Sequence, residues 1–208
     1  MCTNKPVGII DYGSGNIQSI VNALNYLKIP NKIINNANDL QLFSKAILPG
    51  VGSFEYAMKN LIQTSFSNSI IELVKSQKIS LLGICLGMQL LYEFSEEDNG
   101  CKGLGIISGN VRKIKKKNDI RVPNIGWRKI NNSNNSMLLK EVEIDPIFYF
   151  VHSYACKTLN RESVTGILNY GEKFDVIVEA DNVFGTQFHP EKSQKAGLKI
   201  LKNFSQII

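Results

Sequence analysis

The chain has 208 residues, of which 43% are hydrophobic and 20% charged, with a formal net charge of +6 at pH 7. This balance is typical of a globular protein with one large domain, and it supplies enough apolar material for a three-layer core. No apolar run approaches the roughly 18 to 20 residues that a membrane span needs, and residues 1–6 lack the apolar segment of a signal peptide. We therefore expect a cytoplasmic protein with a single domain over residues 1–208 and no membrane contact.

The basic net charge raises the question of nucleic-acid binding. The densest basic cluster is short, spanning residues 112–117, and no aromatic residues are interleaved with it. A solvated hairpin face, or a surface that meets an acidic partner, is favoured over nucleic-acid binding.

The cysteines and histidines are too few and too scattered for a metal site. Cys2, Cys85, Cys101 and Cys156 form no Cys-x-x-Cys pair, and the chain has only two histidines. Because a zinc site needs three or four well-placed ligands, we expect free thiols and neither a metal nor another cofactor.

The first half of the chain alternates short apolar strands with helical patterns. Strands are predicted at residues 7–10, 32–34, 46–48 and 79–84. A 3.6-residue apolar stripe predicts a helix that begins near Ile17 and is stopped by Pro30, and a second helix is predicted near residues 67–76. This alternation predicts an α/β fold, a three-layer sandwich with a central, mostly parallel sheet.

The second half predicts shorter strands that pair antiparallel. Residues 104–130 are typical of short strands and turns, and residues 131–136 of a loop. Further strands are predicted at residues 147–154, 164–168, 174–178 and 183–188, with turns at Gly171-Glu172 and Asp181-Asn182. A C-terminal helix is predicted from the apolar face formed by Gly197, Ile200, Leu201, Phe204 and Ile208.

Cys85 lies between Gly83 and Gly87, where the predicted strand gives way to a helical pattern. A sharp turn from strand to helix would place the thiol at a helix N-terminus, where the helix dipole favours the thiolate. The N–H of Leu86 could then receive an oxyanion. A buried structural cysteine is the alternative that the motif alone leaves open.

His189 follows the last predicted strand and is itself followed by Pro190 and Glu191. In a turn enforced by proline, the carboxylate can reach back to one imidazole nitrogen, which leaves the other nitrogen for a thiol. A histidine satisfied in the core or at the surface is the alternative interpretation. If Cys85 and His189 meet, the pattern predicts nucleophilic acyl transfer.

The run Pro49-Gly50-Val51-Gly52 follows the third predicted strand. Two glycines allow close backbone approach and a positive φ, so the N–H of Val51 could be a second oxyanion donor. A plain turn between strand and helix explains these four residues equally well.

The residues around Cys85 and His189 resemble the triad motifs of class I glutamine amidotransferases. The two runs are residues 83–89 (Gly-Ile-Cys-Leu-Gly-Met-Gln) and 187–191 (Gln-Phe-His-Pro-Glu). Within that class, residues 11–16, 49–52 and 189–198 are similar to runs of the glutaminase subunits of imidazole glycerol phosphate synthases. The resemblance spans essentially the whole chain and implies a flavodoxin-like fold with antiparallel strands added in the second half.

The resemblance implies a mechanism in which Cys85 attacks the side-chain amide of glutamine. His189 would transfer the protons and Glu191 would orient the imidazole, while the N–H groups of Val51 and Leu86 would hold the oxyanion. The products would be glutamate and ammonia. By the same resemblance, the residues expected to line the glutamine pocket are Gly50, Gly52, Gln89, Glu97, Ser153 and Tyr154.

The resemblance also implies a heterodimer with a (β/α)₈ cyclase subunit, which would use the ammonia to make imidazole glycerol phosphate and AICAR in histidine biosynthesis. Ammonia at neutral pH is mostly protonated, so direct transfer through the complex would preserve the nucleophile. Asn16, Trp127 and Tyr149 are the residues expected at the interface. For Trp127, an ordinary core position is an equally good interpretation of the sequence.

One stretch departs from the family pattern. At residues 122–128 the family pattern predicts histidine and methionine before Gly126, and often asparagine after Trp127, whereas this chain has Asn124, Ile125 and Arg128. The departure supports an alternative, a paralogous glutaminase that supplies a synthase modifying surface-polysaccharide or flagellin sugars.

Two further hypotheses belong to other functional classes. A non-catalytic binding module would keep the fold, although an intact Cys85, His189 and Glu191 argues against it. A cysteine peptidase-like hydrolase would cleave γ-glutamyl peptides rather than free glutamine.

Overall fold

The computed structural model describes residues 5–116, 120–132 and 135–207, without the side chains of Asp98 and Asn132. Cys2, Lys117 and Ile208, as well as residues 133–134 of the predicted loop, lie outside the described residues.

The first half of the chain combines strands with helices. In chain order they are β1 (Val7–Ile10), α1 (Ile17–Tyr26), β2 (Asn31–Ile34), β3 (Lys45–Leu48), α2 (Phe54–Gln63), α3 (Phe66–Lys75), β4 (Ser80–Ile84) and α4 (Leu86–Leu90). A 3₁₀ turn, Ala37–Leu42, connects β2 to β3.

The second half consists mainly of strands. They are β5 (Tyr92–Ser95), β6 (Cys101–Lys102), β7 (Ile107–Lys113), β8 (Asn124–Lys129), β9 (Asn131–Asn132), β10 (Ile147–His152), β11 (Tyr154–Thr158), β12 (Val164–Asn169), β13 (Lys173–Ala180) and β14 (Val183–Thr186). Short 3₁₀ turns occur at Glu97–Asn99, Arg161–Ser163 and Pro190–Lys192, and α5 (Gln194–Gln206) ends the described chain.

The central part of the main sheet is parallel, in the order β2-β1-β3-β4-β14. Beyond β14 the sheet continues through β13, β11, β7, β5 and β6, and most of these pairs are antiparallel. Only β5 and β7 pair parallel in this outer part of the described sheet. β8 and β10 form a separate antiparallel pair.

The buried side chains form two clusters, one on each face of the parallel strands. Successive residues of a strand point to opposite faces, so Ile9 belongs to one cluster and Ile10 to the other. Helices α1 and α5 cover the Ile9 face, and α2 and α3 cover the Ile10 face. The predicted three-layer α/β architecture is therefore confirmed.

The prediction of one strand over residues 147–154 is wrong. β10 ends at His152 and pairs with β8, whereas β11 begins at Tyr154 and joins the main sheet between β7 and β13. The chain changes sheets at Ser153, and this change depends on strand partners that lie far away in the sequence.

The helical pattern that the sequence predicts after Cys85 is short. Helix α4 ends at Leu90, and Tyr92 begins strand β5. The phenol of Tyr92 is buried and forms a 2.8 Å hydrogen bond with the hydroxyl of Thr158 on β11, so its position is set by a strand two places away in the sheet.

Helix α2 was not predicted. Its N-terminus is capped by Ser53, whose hydroxyl accepts from the N–H of Tyr56. Phe54, Ala57, Met58 and Leu61 are buried at helical spacing, a signal that the sequence contains. Residues 131–136 also differ from the loop expected there, because Asn131–Asn132 form β9 against β12.

Within the described ranges, Cys85, Cys101 and Cys156 form no disulfide, and no group of three or more His, Cys, Asp or Glu could hold a metal ion. None of the helices in these ranges combines the length and apolarity needed to cross a bilayer. In the basic run, Arg112, Lys113, Lys115 and Lys116 are exposed, while the intervening Ile114 is buried.

We expect Gly87→Ala to destabilise the chain by about 3 kcal/mol, because a methyl group at this position would overlap the carbonyl oxygen of Leu48. Gly105→Ala is the control. Gly105 has φ +62° but nothing within 4 Å of an added Cβ, so a loss of about 1 kcal/mol is expected. Urea unfolding measures both losses, and equal losses would contradict the packing argument.

Candidate active site

Cys85 is the single residue between β4 and α4. Its φ of 55° and ψ of −111° are rare for a residue other than glycine, and its N–H donates to the carbonyl of Thr186 at 2.7 Å. The flanking glycines make this turn possible. A Cβ at Gly83 would lie 2.7 Å from Met88, and a Cβ at Gly87 would overlap Leu48.

The turn presents the thiol at the start of α4, as the sequence predicts. Leu86 is the first helical residue, so its N–H has no acceptor within the helix and is available to an oxyanion. The Cys85 side chain is largely buried, at 7% exposure.

His189 comes close to Cys85 because β4 and β14 are parallel neighbours, with Ile84 paired to Thr186. Three residues beyond Thr186, the N–H of His189 donates to the carbonyl of Tyr149 at 3.0 Å, and its carbonyl accepts from the hydroxyl of Ser193 at 2.6 Å. These backbone bonds fix the position from which the imidazole extends.

The imidazole of His189 is paired with the Glu191 carboxylate, as the proline turn predicts. Nδ1 lies 2.8 Å from Oε1, and both side chains are buried, at 3% and 1% exposure. Nε2 has no hydrogen-bond partner among the residues described, and neither does the second carboxylate oxygen. One imidazole nitrogen is therefore oriented by a carboxylate, and the other remains available for proton transfer.

Two opposing effects set the pKa of His189. Burial lowers the pKa, but the nearby Cys85 thiol and Glu191 carboxylate raise it to about 10. The Cys85 thiol is near enough to affect the pKa of His189, although it forms no hydrogen bond with Nε2. The site consequently favours an imidazolium at neutral pH, which is the charge that stabilises a neighbouring thiolate.

His152, the other histidine of the chain, was not predicted to be part of the site. Burial lowers its pKa to about 4, and the charge of His189 acts in the same direction. Its Nδ1 lies 2.8 Å from the carbonyl of Tyr154, and its Nε2 lies 3.0 Å from Nδ2 of Asn124. Because a carbonyl only accepts, the neutral ring donates from Nδ1 and accepts at Nε2.

A cavity of about 270 Å³ opens beside Cys85. Its lining includes five of the six residues expected to contact glutamine, namely Gly52, Gln89, Glu97, Ser153 and Tyr154. Leu86, Pro123, Val151 and His152 complete the lining together with Cys85. Gly50 does not line the cavity, because it packs behind Leu86.

Gln89 and Glu97 contribute different chemistry to this lining. The Gln89 amide is buried, and its Nε2 donates to the Tyr154 carbonyl at 3.0 Å and to Oε1 of Gln187 at 3.1 Å. The Glu97 carboxylate accepts from the N–H of Phe54 at 3.0 Å, so it also stabilises the start of α2. Glu97 brings a negative charge to the cavity wall.

The loop at residues 49–52 packs directly against the turn that carries the thiol. A Cβ at Gly50 would lie 2.7 Å from the nitrogen of Gly87 and 2.8 Å from Cβ of Leu86. The loop is held from the other side, because the Tyr12 hydroxyl donates to the Pro49 carbonyl at 2.8 Å. The Ser14 hydroxyl likewise donates to the carbonyl of Val51 at 2.7 Å.

Gln187 was not predicted to be a site residue, although its side chain reaches the thiol. Its Nε2 lies 3.9 Å from Sγ of Cys85, and the residue is fully buried. A buried amide directly after a strand is the signal that could have identified it, since such a group requires partners.

The three residues expected at a partner interface differ in their surroundings. Trp127 is 44% exposed, which excludes the core position, and its ring meets that of Tyr149 edge-on at 5.8 Å across the β8–β10 pair. The Asn16 side chain caps α1 by accepting from the N–H of Ser19 at 3.4 Å. The interface role of all three stays a prediction.

Comparison with known proteins defines the class. The family model for class-I glutamine amidotransferases matches residues 8–207. The chain belongs to this family, and the predicted resemblance is confirmed at the level of the class.

Curated relatives define the branch within the class. The chain is 44% identical over 204 residues to the imidazole glycerol phosphate synthase subunit HisH of Methanocaldococcus jannaschii, and 39% identical over 204 residues to the subunit of that name from Leptospira borgpetersenii. Each comparison covers 97% of this chain and 100% of the relative. A crystal structure of a glutamine amidotransferase, 19% identical, superposes with a TM-score of 0.75 over 95% of this chain and 98% of the other, which supports the fold.

We expect His152 to make folding sensitive to acid. Because its pKa is about 4 in the folded chain and about 6.5 when unfolded, the unfolded state binds a proton first as the pH falls through 6.5. The resulting loss of stability reaches about 3 kcal/mol by pH 4.

The measurement is urea unfolding between pH 7.5 and pH 4 for the natural chain and for His152→Gln, which should lose less stability over this range. His189→Gln is the control. Because the pKa of His189 is raised to about 10 in the folded chain, this residue is protonated in both states below pH 5.5. Between pH 5.5 and pH 4 this variant should therefore lose as much stability as the natural chain. Identical pH profiles for the natural chain and His152→Gln would contradict the prediction.

Proposed function

We propose that the chain is the glutaminase subunit of an imidazole glycerol phosphate synthase in histidine biosynthesis. It hydrolyses glutamine to glutamate and ammonia and delivers the ammonia to a cyclase subunit. The observation that carries the proposal is the carboxylate-oriented His189 on the strand next to the strained Cys85 turn, beside a cavity. The full-length similarity to synthase subunits supports this assignment, for which a cytoplasmic location and no cofactor are expected.

In the first half of the reaction, Cys85 forms a thioester with the substrate. The thiol proton is already held on Nε2 of His189 as an ion pair, and the thiolate of Cys85 attacks the side-chain amide carbon of glutamine. The oxyanion is held by the N–H of Leu86 and by that of Val51. When the tetrahedral intermediate collapses, His189 returns the proton to the departing amine, and ammonia leaves.

In the second half, water attacks the glutamyl thioester. His189 takes a proton from the water and then protonates the sulfur, so glutamate is released and the thiol is restored. Glu191 keeps the imidazole in one orientation through both halves, because its bond to Nδ1 does not change partner.

The cavity suits an amino acid with a polar side chain. The carboxylate of Glu97 attracts an α-ammonium group, and Gln89 supplies an amide that can both donate and accept. Ser153 and Tyr154 line the cavity where the chain changes sheets. The carbonyl of Tyr154 accepts from Nε2 of Gln89 at 3.0 Å, which holds this part of the wall in place.

The partner proposed for this subunit is a (β/α)₈ cyclase that receives ammonia directly. The exposed Trp127 and the partly buried Tyr149 beside it offer aromatic surface of the kind enriched at protein interfaces. The carbonyl of Tyr149 accepts from the N–H of His189, so this face lies close to the reacting groups.

A sugar-modifying synthase as partner is the second candidate, since Asn124, Ile125 and Arg128 depart from the family pattern. The curated relatives favour the histidine-biosynthesis subunit. Pull-down of the chain against both synthases tests the choice, and failure to bind the cyclase would contradict the proposed partner.

We expect Cys85→Ala to abolish glutamine hydrolysis while the complex still synthesises imidazole glycerol phosphate from added ammonia. Removing the nucleophile prevents the thioester, but it does not touch the synthase reaction in the partner. Cys101→Ala is the matched control and should keep both activities, because Cys101 lies outside the cavity. Loss of both activities in Cys85→Ala would mean that Cys85 is structural.

We also expect the isolated subunit to hydrolyse glutamine slowly. If the Gly50–Val51 peptide must rotate to aim its N–H at the oxyanion, then partner and acceptor together should raise the rate by about 10²- to 10³-fold, the usual effect of one oxyanion donor. Steady-state assays of the chain with and without the cyclase measure this ratio. An isolated chain that is already fully active would contradict such gating.

A further inference from the structure

A chain of buried polar contacts joins strand β8 to the glutamine cavity. At the β8 end, Asn124 is fully buried, and its Oδ1 accepts from Nε of Arg128 at 3.2 Å. Because a guanidinium only donates, this contact fixes which side of the amide is oxygen. Nδ2 of Asn124 therefore faces Nε2 of His152, its cross-strand partner, at 3.0 Å.

The contact with Asn124 determines which nitrogen of His152 carries the proton, and the ring in turn contacts the cavity wall. An amide nitrogen can only donate, so Nε2 must accept, and the ring proton stays on Nδ1, which donates to the carbonyl of Tyr154 at 2.8 Å. The same carbonyl accepts from Nε2 of Gln89 at 3.0 Å. One carbonyl thus joins the ring of His152 to a side chain four residues beyond the thiol.

We propose that Asn124 is a positioning residue for glutamine, acting through His152 on the Tyr154 peptide and the Gln89 amide. The proposal rests on the proposed glutaminase function, because it assigns these two groups to the substrate. Asn124 itself does not line the cavity.

The physical reason is that an imidazole without its Asn124 contact has more than one stable state. The ring can rotate by half a turn or carry its proton on the other nitrogen, and either change removes the bond to Tyr154. A carbonyl released from His152 is then no longer held in position by the imidazole, and the wall that it forms with Gln89 shifts. A single well-defined wall is what substrate binding requires.

The test compares Asn124→Leu with Asn203→Leu. Asn203 is a matched control, because it is equally a buried asparagine, and its Nδ2 donates to the carbonyls of Leu138 and Lys140 at 2.7 Å each. Both variants lose buried amide contacts, but only Asn124 is connected to the cavity.

Two thiol reagents distinguish a change in the glutamine pocket from a change in the reactivity of the Cys85 thiol. Iodoacetamide is small and reports on the Cys85 thiol, whereas 6-diazo-5-oxo-L-norleucine must occupy the glutamine pocket before it reacts. In Asn124→Leu we expect labelling of Cys85 by the glutamine analogue to slow by about tenfold or more, with iodoacetamide labelling within about twofold of the natural chain. Asn203→Leu should label within about twofold with both reagents.

The isosteric variant Asn124→Asp gives a second, spectroscopic readout. Because Asp and Asn have nearly the same shape, this readout does not involve a change in side-chain packing. In Asn124→Asp a carboxylate faces Nε2 of His152, and since it only accepts, it favours the imidazolium. With two histidines in the chain, the imidazole signals in ¹⁵N NMR spectra are readily assigned. We expect His152 to be neutral with its proton on Nδ1 at pH 7 in the natural chain, and the variant to raise its pKa.

The outcomes are distinct. The positioning role is overturned if labelling of Cys85 in Asn124→Leu slows equally with both reagents or does not slow at all. It is also overturned if labelling by the glutamine analogue slows comparably in Asn203→Leu, or if the titration of His152 is unchanged in Asn124→Asp. If the analogue fails to label even the natural chain while iodoacetamide labels Cys85, the glutaminase proposal itself fails, and the positioning role fails with it.

Discussion

The parallel pairing of β4 with β14 is the constraint on which the rest of the site depends. It sets Ile84 opposite Thr186, although about a hundred residues of chain separate them, and the bond from the Cys85 N–H to Thr186 extends this register by one residue. A slip of one residue would turn the side chains of β14 to the other face of the sheet. The nucleophile and His189 are therefore positioned by backbone hydrogen bonds between neighbouring strands before any side chain contributes.

The same register creates strain that the surrounding core must hold. The positive φ of Cys85 costs on the order of 1–3 kcal/mol, and the turn persists because Gly83, Gly87 and Gly50 let three backbone segments approach closely. Each of these glycines leaves no room for a side chain, so the Gly-x-Cys-x-Gly pattern is a consequence of packing. The turn directs the largely buried thiol of Cys85 toward the cavity.

Much of this could be predicted from the sequence, because the signals are local. Strand β4 lies in a nearly continuous apolar run, Pro190 begins the short turn that carries Glu191, and the glycines around Cys85 mark a sharp turn. The change of sheets at Ser153 could not be predicted, since aromatic and β-branched residues dominate residues 147–154 and the division depends on the partners β8 and β7. The end of α4 at Leu90 likewise depends on the partners of β5, which are β6 and β7.

The two histidines show why residue type alone could not identify the whole site. His189 and His152 are both buried, yet the pKa of His189 is raised to about 10 and that of His152 lowered to about 4. The difference comes from their partners, a carboxylate and a thiol in one case, and an amide and a carbonyl in the other. Because Asn124 becomes a neighbour of His152 only through the β8–β10 register, the division into one charged and one neutral imidazole is a property of the fold.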